Sequence, residues 1–411
     1  MAKFDVTVIG AGLGGLAAAA LLARQGKKVV VLDLQNNAGK ALGSFEHEGF
    51  HFSAMPEIAY GFEQNGSVSA VASVLGISLN VATRTPSCQI ALPGRRISLF
   101  PDRERTMQEL GREFPQEFPS LNKFYRDLKH KETRNAKSRM ASYLSRRRSA
   151  KGLLQSFRFS DALQAFFDIQ AIHFFHQSAS GLSLARLIDL CNASPRQATG
   201  GFSGLAEQLH KSILQKGSEV LSLDKPCELA LTNNRISGVR TGEGTIESRL
   251  VIVNEVPEQR TFTLHLGIKG TVVPVGMCRN VFFQPDPAHA GEFLAIELSA
   301  PEDPAAPPAM QTLCASYHAS PGRAVDQEQL IDQLSTLMPF LRDNIVSVAA
   351  HHYPQKAVVI PRDITFKPIM PSNSFSLVSR GSKKNLYRLD NIMQSPLQAL
   401  ESAQRLASHL A

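Results

Sequence analysis

The chain has 411 residues, 43% hydrophobic and 19% charged, which excludes an intrinsically disordered protein and gives length enough for two domains. Its five cysteines (Cys88, Cys191, Cys227, Cys278, Cys314) form no C-x-x-C pair, which excludes zinc knuckles and dithiol redox centres, and their odd, scattered set suits a reducing compartment. The net charge of +8 is local: residues 123–158 hold twelve Lys or Arg against Asp127 and Glu132, a balance of +10 that leaves −2 for the rest.

The first 33 residues carry the strongest signal. Val6, Val8 and Ile9 open a short β-rich run, and Gly10, Gly12 and Gly15 give G-x-G-x-x-G. Leu16 to Ala23 favours helix, Gly26 ends it, and Lys28 to Leu32 is a second apolar strand that stops at Asp33. This strand–turn–helix–strand order predicts a dinucleotide-binding βαβ unit. Gly10 permits the turn, Gly12 lets a pyrophosphate approach the backbone, and Gly15 lets helix and strand pack closely. The helix N-terminus offers free N–H groups and partial positive charge to phosphate. Asp33 is placed to accept hydrogen bonds from ribose hydroxyls and would repel a 2′-phosphate. A signal peptide is read against, because cleavage would destroy the fingerprint. The apolar run, ending at Arg24, is also too short to span a membrane. We therefore expect a mature N-terminus and a cytoplasmic protein.

After Asp33 a nicotinamide dehydrogenase would continue with helix and strand. Here Gly39, Gly43 and Gly49 puncture the chain and Phe50–Phe52 reads as extended, which points to a loop along a longer cofactor, FAD. Residues 65–195 read as mainly helical, with packed helices over 160–190. Within them the basic segment 123–158, including Arg146, Arg147 and Arg148, interleaves Phe124, Tyr125, Leu128, Met140, Tyr143, Leu144, Leu153, Leu154 and Phe157. That mixture fits helices on an anionic membrane surface or a partner, or a plain solvated face; no nucleic-acid motif accompanies it. Gly200-Gly201 opens a helix over Ser203–Gln215. Strands follow near Glu219–Leu223, Cys227–Thr232, Arg235–Arg240, Thr245–Glu247 and Leu250–Asn254, with Asn233-Asn234 as a hairpin turn. Val272–Tyr317 is β-rich around a Pro/Ala linker at Pro301–Pro308. A helix over Asp326–Met338, a strand near Ile345–His351 and a closing helix over Pro396–Leu410 complete the chain. His173 and His176 share a helical face, but without a third ligand they read as core or surface histidines; His351 and His352 point opposite ways on a strand.

Four stretches resemble the FAD-dependent phytoene desaturase, carotenoid isomerase and retinol saturase group of the flavin amine-oxidase superfamily: Gly10–Asp33, "GFHFSAMPEI", Gly200–Pro257 with Val251, Ile252, Asn254 and Pro257, and "NLYRLDNIMQSPLQALESAQRLASHL". The resemblance implies an α/β fold: a Rossmann-like FAD-binding domain of the glutathione-reductase type over 1–69, 196–261 and 366–411, and an α+β substrate domain over 70–195 and 262–365. It implies cofactor contacts at Gly10, Gly12, Leu13, Gly14, Gly15, Asp33, Leu34, Gly39, Lys40, Asp390 and Leu397. The implied activity is oxidation, reduction or isomerisation of C–C bonds in a hydrophobic polyene or isoprenoid, with orientation rather than a named catalytic side chain as the protein's share. The chain departs from the group at Lys40, Ser53, Met55 and Leu389, where the family has Arg, Asp, Gly and Gly. Those departures leave open a non-catalytic relative that keeps the fold, while a flavin amine oxidase is the third reading. The implied partners are a hydrophobic small molecule and a membrane surface at 123–158, with no nucleic acid and no metal.

Overall fold

The computed structural model describes residues 3–33, 44–63, 66–137, 144–145, 148–198, 200–254, 261–289, 291–319, 325–349, 358–361, 363–369, 378–389 and 396–411. In chain order the first elements are β1 (Lys3–Ile9), α1 (Leu13–Arg24), β2 (Val29–Asp33), β3 (Phe45–His47), β4 (Phe50–Phe52), α2 (Ser67–Leu75), β5 (Val81–Ala82), β6 (Cys88–Leu92) and β7 (Arg95–Leu99). Helices α3 (Arg103–Glu113), α4 (Phe118–Lys137), α5 (Lys151–Phe157), α6 (Asp161–Phe175) and α7 (Leu184–Asn192) follow, then β8 (Gln197–Ala198) and α8 (Gly201–Gln215). The middle holds β9 (Glu219–Ser222), β10 (Cys227–Thr232), β11 (Arg235–Thr241), β12 (Gly244–Val253), β13 (Thr261–Lys269), β14 (Asn280–Phe283), β15 (Phe293–Leu298) and β16 (Met310–His318). The chain closes with α9 (Gln327–Leu337), β17 (Ile345–Ala349), β18 (Val358–Val359), β19 (Phe366–Pro368), β20 (Val378–Gly381), β21 (Leu386–Leu389) and α10 (Pro396–Leu410).

Two sheets organise the molecule. The first runs β18-β10-β11-β12-β1-β2-β9, with β21 pairing parallel to β12 and carrying β20 and β19. Strands β9, β2, β1, β12 and β21 are mutually parallel, so their faces need cover on both sides. Val29 and Val31 point to α1, while Val30 and Leu32 join Cys227, Leu229, Ile236 and Val239 on the opposite face, as a period of two requires. Helix α1 is Ala- and Leu-rich on all sides and buried from Leu13 to Ala23, which is the pattern of an internal helix. The N-terminal and C-terminal segments cover each other, because α10 packs along α1 and the Gln25 side-chain amide donates to the Ala407 carbonyl at 3.2 Å. Asn233 and Asn234 both take positive φ (52° and 59°), the geometry of a two-residue hairpin turn between β10 and β11.

The second sheet runs β17-β13-β16-β15-β14-β6-β7. Leu330, Ile331, Leu334 and Leu337 of α9 cover one face, packing with Leu294, Ile296 and Leu298 of β15. Phe293 and Ala295 turn the other way, toward the helical layer around α6.

One sequence expectation is corrected and two are filled in. The segment 65–195 is mainly helical, as read, but also holds a hairpin, Cys88–Leu92 with Arg95–Leu99, in the second sheet. All five residues of Cys88–Leu92 are buried, so the run has no polar alternation to mark it as a strand. The two strands expected over 245–254 are one, Gly244–Val253, which pairs with β11 at its start and β21 at its end. In α4, Phe124, Tyr125 and Leu128 turn into the core, leaving Lys123, Arg126, Lys129 and His130 exposed. Among the described residues no helix is long and apolar enough to cross a membrane.

Candidate functional site

The N-terminal turn is built as the glycine spacing requires. Gly10 has φ +103°, its N–H donates to the Leu32 carbonyl at 2.9 Å, and a Cβ there would overlap the Asn254 backbone. A Cβ on Gly15 would overlap the Gly10 carbonyl, so α1 rises directly from the turn only because that atom is missing. Gly12 is the helix N-cap, extended at φ −67° and ψ 169°, and no side chain caps the helix. The first-turn N–H groups of α1, at Leu13, Gly14 and Gly15, lack intrahelical carbonyl partners and face an uncapped end. Asn254, at the end of β12, braces this turn: its backbone N–H donates to Ile9 at 2.8 Å and its side-chain amide to Gly10 at 3.4 Å. The family resemblance singled out Asn254 by type; the structure shows why the position serves the turn.

Asp33 ends β2 beside this turn, where Ile9 pairs in register with Leu32. It is buried, and its backbone carbonyl accepts from Leu223 N–H at 2.7 Å. A cradle with an open helix N-terminus, no intruding Cβ and an acid one strand over fits the diphosphate and ribose of a dinucleotide. Asp33→Ala is expected to weaken ADP binding by about 1–3 kcal/mol, the range for unpaired buried polar partners. Calorimetric titration with ADP measures it, and an unchanged affinity would remove Asp33 from ribose recognition. Leu34, Gly39, Lys40 and Asp390, with His351, His352, Arg146, Arg147, Met140 and Tyr143, lie outside the described residues. Leu397 falls in the first turn of α10, with its side chain outside them.

Eleven residues after Asp33, at Ser44, the chain reaches a second feature. A cavity of about 420 Å³ is bounded by Ser44, the β4 end and following loop (His51, Phe52, Ser53, Glu57), Arg84, Gln197, the start of α8 at Gly200 and Gly201, Arg279 just before β14, and Glu297, Thr312 and Cys314 of the second sheet. The cavity is charged. Glu297 stands on the β15 face that also carries Phe293 and Ala295, and is buried. It accepts from the Glu57 backbone N–H at 2.5 Å and from Gln197 Nε2 at 2.6 Å. The Glu57 carboxylate accepts from Phe202 N–H at 3.2 Å, and a side chain on Gly201, at φ +65°, would collide with that carboxyl group. Burial, then the charge of Glu297, pushes the Glu57 carboxyl up to about 7. Burial also raises Glu297, against the pull of its hydrogen bonds and of Arg279 and Arg84. Cys314 is pushed far up by burial and by both glutamates, so it stays a thiol rather than a thiolate nucleophile. Arg279 donates to the Leu298 carbonyl at 2.7 Å and lies 3.7 Å from Asp303. Arg84 Nη1 is buried with no hydrogen-bond partner among the described residues.

None of Glu57, Arg84, Arg279 or Glu297 was singled out from sequence. One sign was present: a lone acid inside the apolar run Phe293–Leu298.

His173 is a core histidine, as read from the sequence, but it does not share a helical face with His176. Helix α6 ends at Phe175, and His176 is its C-cap in the left-handed conformation. His173 instead meets His318 of β16, Nδ1 to Nε2 at 3.3 Å, among Phe174, Phe282 and Phe293. Among the described residues no group of three His, Cys, Asp or Glu is placed to hold a metal. None of the five cysteines forms a disulfide.

Residues 8–75 match the NAD(P)-binding Rossmann-like domain model, NAD_binding_8. Prolycopene isomerase of Daucus carota is 25% identical over 66% of this chain and 53% of its own length. All-trans-retinol 13,14-reductase of Macaca fascicularis is 54% identical over 50 residues, 12% of this chain and 8% of that protein. The chain is similar in sequence to both. It carries a Rossmann-like NAD(P)-binding domain within an α/β fold of mixed sheets. The chain spans about half the length of the prolycopene isomerases it matches. An oxidoreductase from Methanosarcina mazei shares the fold, with a TM-score of 0.62 and 16% identity over 98% of this chain and 100% of that one. Cyclohexylamine oxidase from Brevibacterium oxydans does so with a TM-score of 0.57 and 14% identity over 99% of each. Together with the cradle, the matched domain implies a dinucleotide cofactor.

Proposed function

We propose that the chain is an FAD-dependent oxidoreductase acting on C–C bonds of a hydrophobic, polyene- or isoprenoid-like molecule. The observation that carries this reading is the intact dinucleotide cradle in a chain homologous to proteins named for isomerising a lycopene and reducing retinol. In this reading Gly10, Gly12 and the first turn of α1 hold the diphosphate, and Asp33 holds the adenosine ribose. Leu34, Gly39, Lys40, Asp390 and Leu397 are the further contacts the family pattern supplies. Bound FAD would accept or give a hydride. The protein's own contribution is position and proton control: Glu57 changes protonation near neutral pH at the wall of a cavity that the second sheet closes on one side. For a membrane partner, the inward turn of Phe124, Tyr125 and Leu128 leaves a cationic rather than apolar contact surface on α4.

The visible spectrum of the purified protein, before and after incubation with FAD and gel filtration, tests the reading. A flavin spectrum retained through filtration is expected. A protein that stays colourless would overturn it and leave the fold without redox chemistry.

A further inference from the structure

Within the charged cavity one guanidinium nitrogen, Arg84 Nη1, is left without a hydrogen-bond acceptor among the described residues. Arg279 is engaged by the Leu298 carbonyl and by Asp303. Glu297 is engaged by the Glu57 backbone and by Gln197. Arg84 lines the same space, and its Nη1 is buried without an acceptor among the described residues. A guanidinium nitrogen buried in that state is costly unless an oxygen meets it. A bare hydrocarbon cannot supply that oxygen.

From this we infer that the cavity takes the carboxylate end of an unsaturated molecule, with Arg84 as its partner and Glu57 gaining a proton as the anion enters. The apolar, unsaturated body rests on the proposed C–C-bond chemistry; the carboxylate rests on the cavity alone. Arg is the suited residue, because its planar fork matches a carboxylate in two parallel hydrogen bonds. The cavity charges facing Glu57 are Glu297, Arg84, Arg279 and Asp303, with His51 and Cys314 on the same walls. Adding an anion to that set favours the protonated form of the group most easily neutralised. That group is Glu57, already raised to about 7. Binding is therefore coupled to uptake of a proton, and affinity falls as pH rises above 7.

Sorbate and 2,4-hexadien-1-ol form a matched pair of probes, with the same conjugated skeleton and different ends. Isothermal titration of the full chain, in two buffers of different ionisation enthalpy at pH 6, 7 and 8, reads both affinity and protons. Sorbate is expected to bind at least about tenfold more tightly than the alcohol, with proton uptake that Glu57→Gln abolishes. Arg84→Met is expected to remove the preference for sorbate while leaving alcohol binding unchanged. Equal affinity for the two probes in the unmodified protein, or a preference that survives Arg84→Met, would overturn the inference. So would an inorganic phosphate affinity equal to that for sorbate. The unmodified protein's selectivity decides the matter even if the variant does not fold. Flavin retention is read separately in the visible spectrum, so a colourless protein that still selects sorbate would refute the proposed redox role and keep the carboxylate site.

Discussion

Gly15→Ala is expected to lower the chemical-denaturation free energy by about 2–3 kcal/mol, the upper part of the range for overpacking a close-packed site. It is also expected to weaken ADP binding more than tenfold. The added methyl would occupy the space of the Gly10 carbonyl oxygen, which is backbone and cannot swing aside. Helix α1 must then move off the turn. It is enclosed between the first sheet, α8 and α10, so that movement disturbs packing on several sides at once. Gly152→Ala in α5 is the matched control. A Cβ there meets nothing within 4 Å, and the exchange is expected to stabilise the helix by a few tenths to about 1 kcal/mol. A Gly15→Ala midpoint as little changed as that of Gly152→Ala would show that α1 has room the structure denies it.

Replacing both His173 and His318 by Leu is expected to stabilise the chain in acid, relative to the parent, by about 4 kcal/mol at pH 5 beyond any difference at pH 7. Burial holds His173 down at about 3 and His318 well below its ordinary value. In the unfolded chain both titrate near the ordinary 6.5. Below that pH the unfolded state binds more protons than the folded state, so stability falls as pH falls. Each imidazole forfeits about 1.4 kcal/mol per unit. The buried carboxyls oppose this. Glu57 is raised to about 7 from 4.5, so the unfolded state loses its proton first and stability falls as pH rises from 4.5 toward 7. His176, held down at about 4 by burial, adds to the imidazole side, so the parent protein is expected to lose stability as pH falls from 6.5 to 5, with Glu57 offsetting only part of the loss. The double variant is expected to shrink that loss, and Glu57→Gln to deepen it. Urea midpoints at half-unit pH steps check both. If parent and double variant ran parallel from pH 7 to 5, the two imidazoles would not be the buried neutral pair that the structure shows.

The readable parts of this fold were those whose residues lie close together in sequence. The Gly10–Asp33 unit has its three glycines, its helix formers and its acid within one βαβ span. Asn233 and Asn234 mark a hairpin turn because few other residues take positive φ so readily. The Cys88–Leu92 strand was hidden because every residue is buried, so periodicity could not separate it from helix. The cavity was hidden for a different reason. Glu57 and Glu297 are 240 residues apart and meet only because β15 brings the second acid to the loop after β4. Four charged residues scattered among the charges of a whole chain carry no spacing to recognise. The histidines show the same limit: His173 was visible on its helix, but its true neighbour, His318, lies 145 residues further on.

The brace between Asn254 and the Gly10 carbonyl spans 244 residues, and α1 is sealed by a segment whose contact with Gln25 lies 382 residues away. During synthesis the Ala- and Leu-rich helix leaves the ribosome long before either support exists. It must wait, apolar on every side, until the 396–410 segment has been made. The nucleotide cradle is thus complete only when the later segment has folded back onto α1, so cofactor loading waits on residues 396–410.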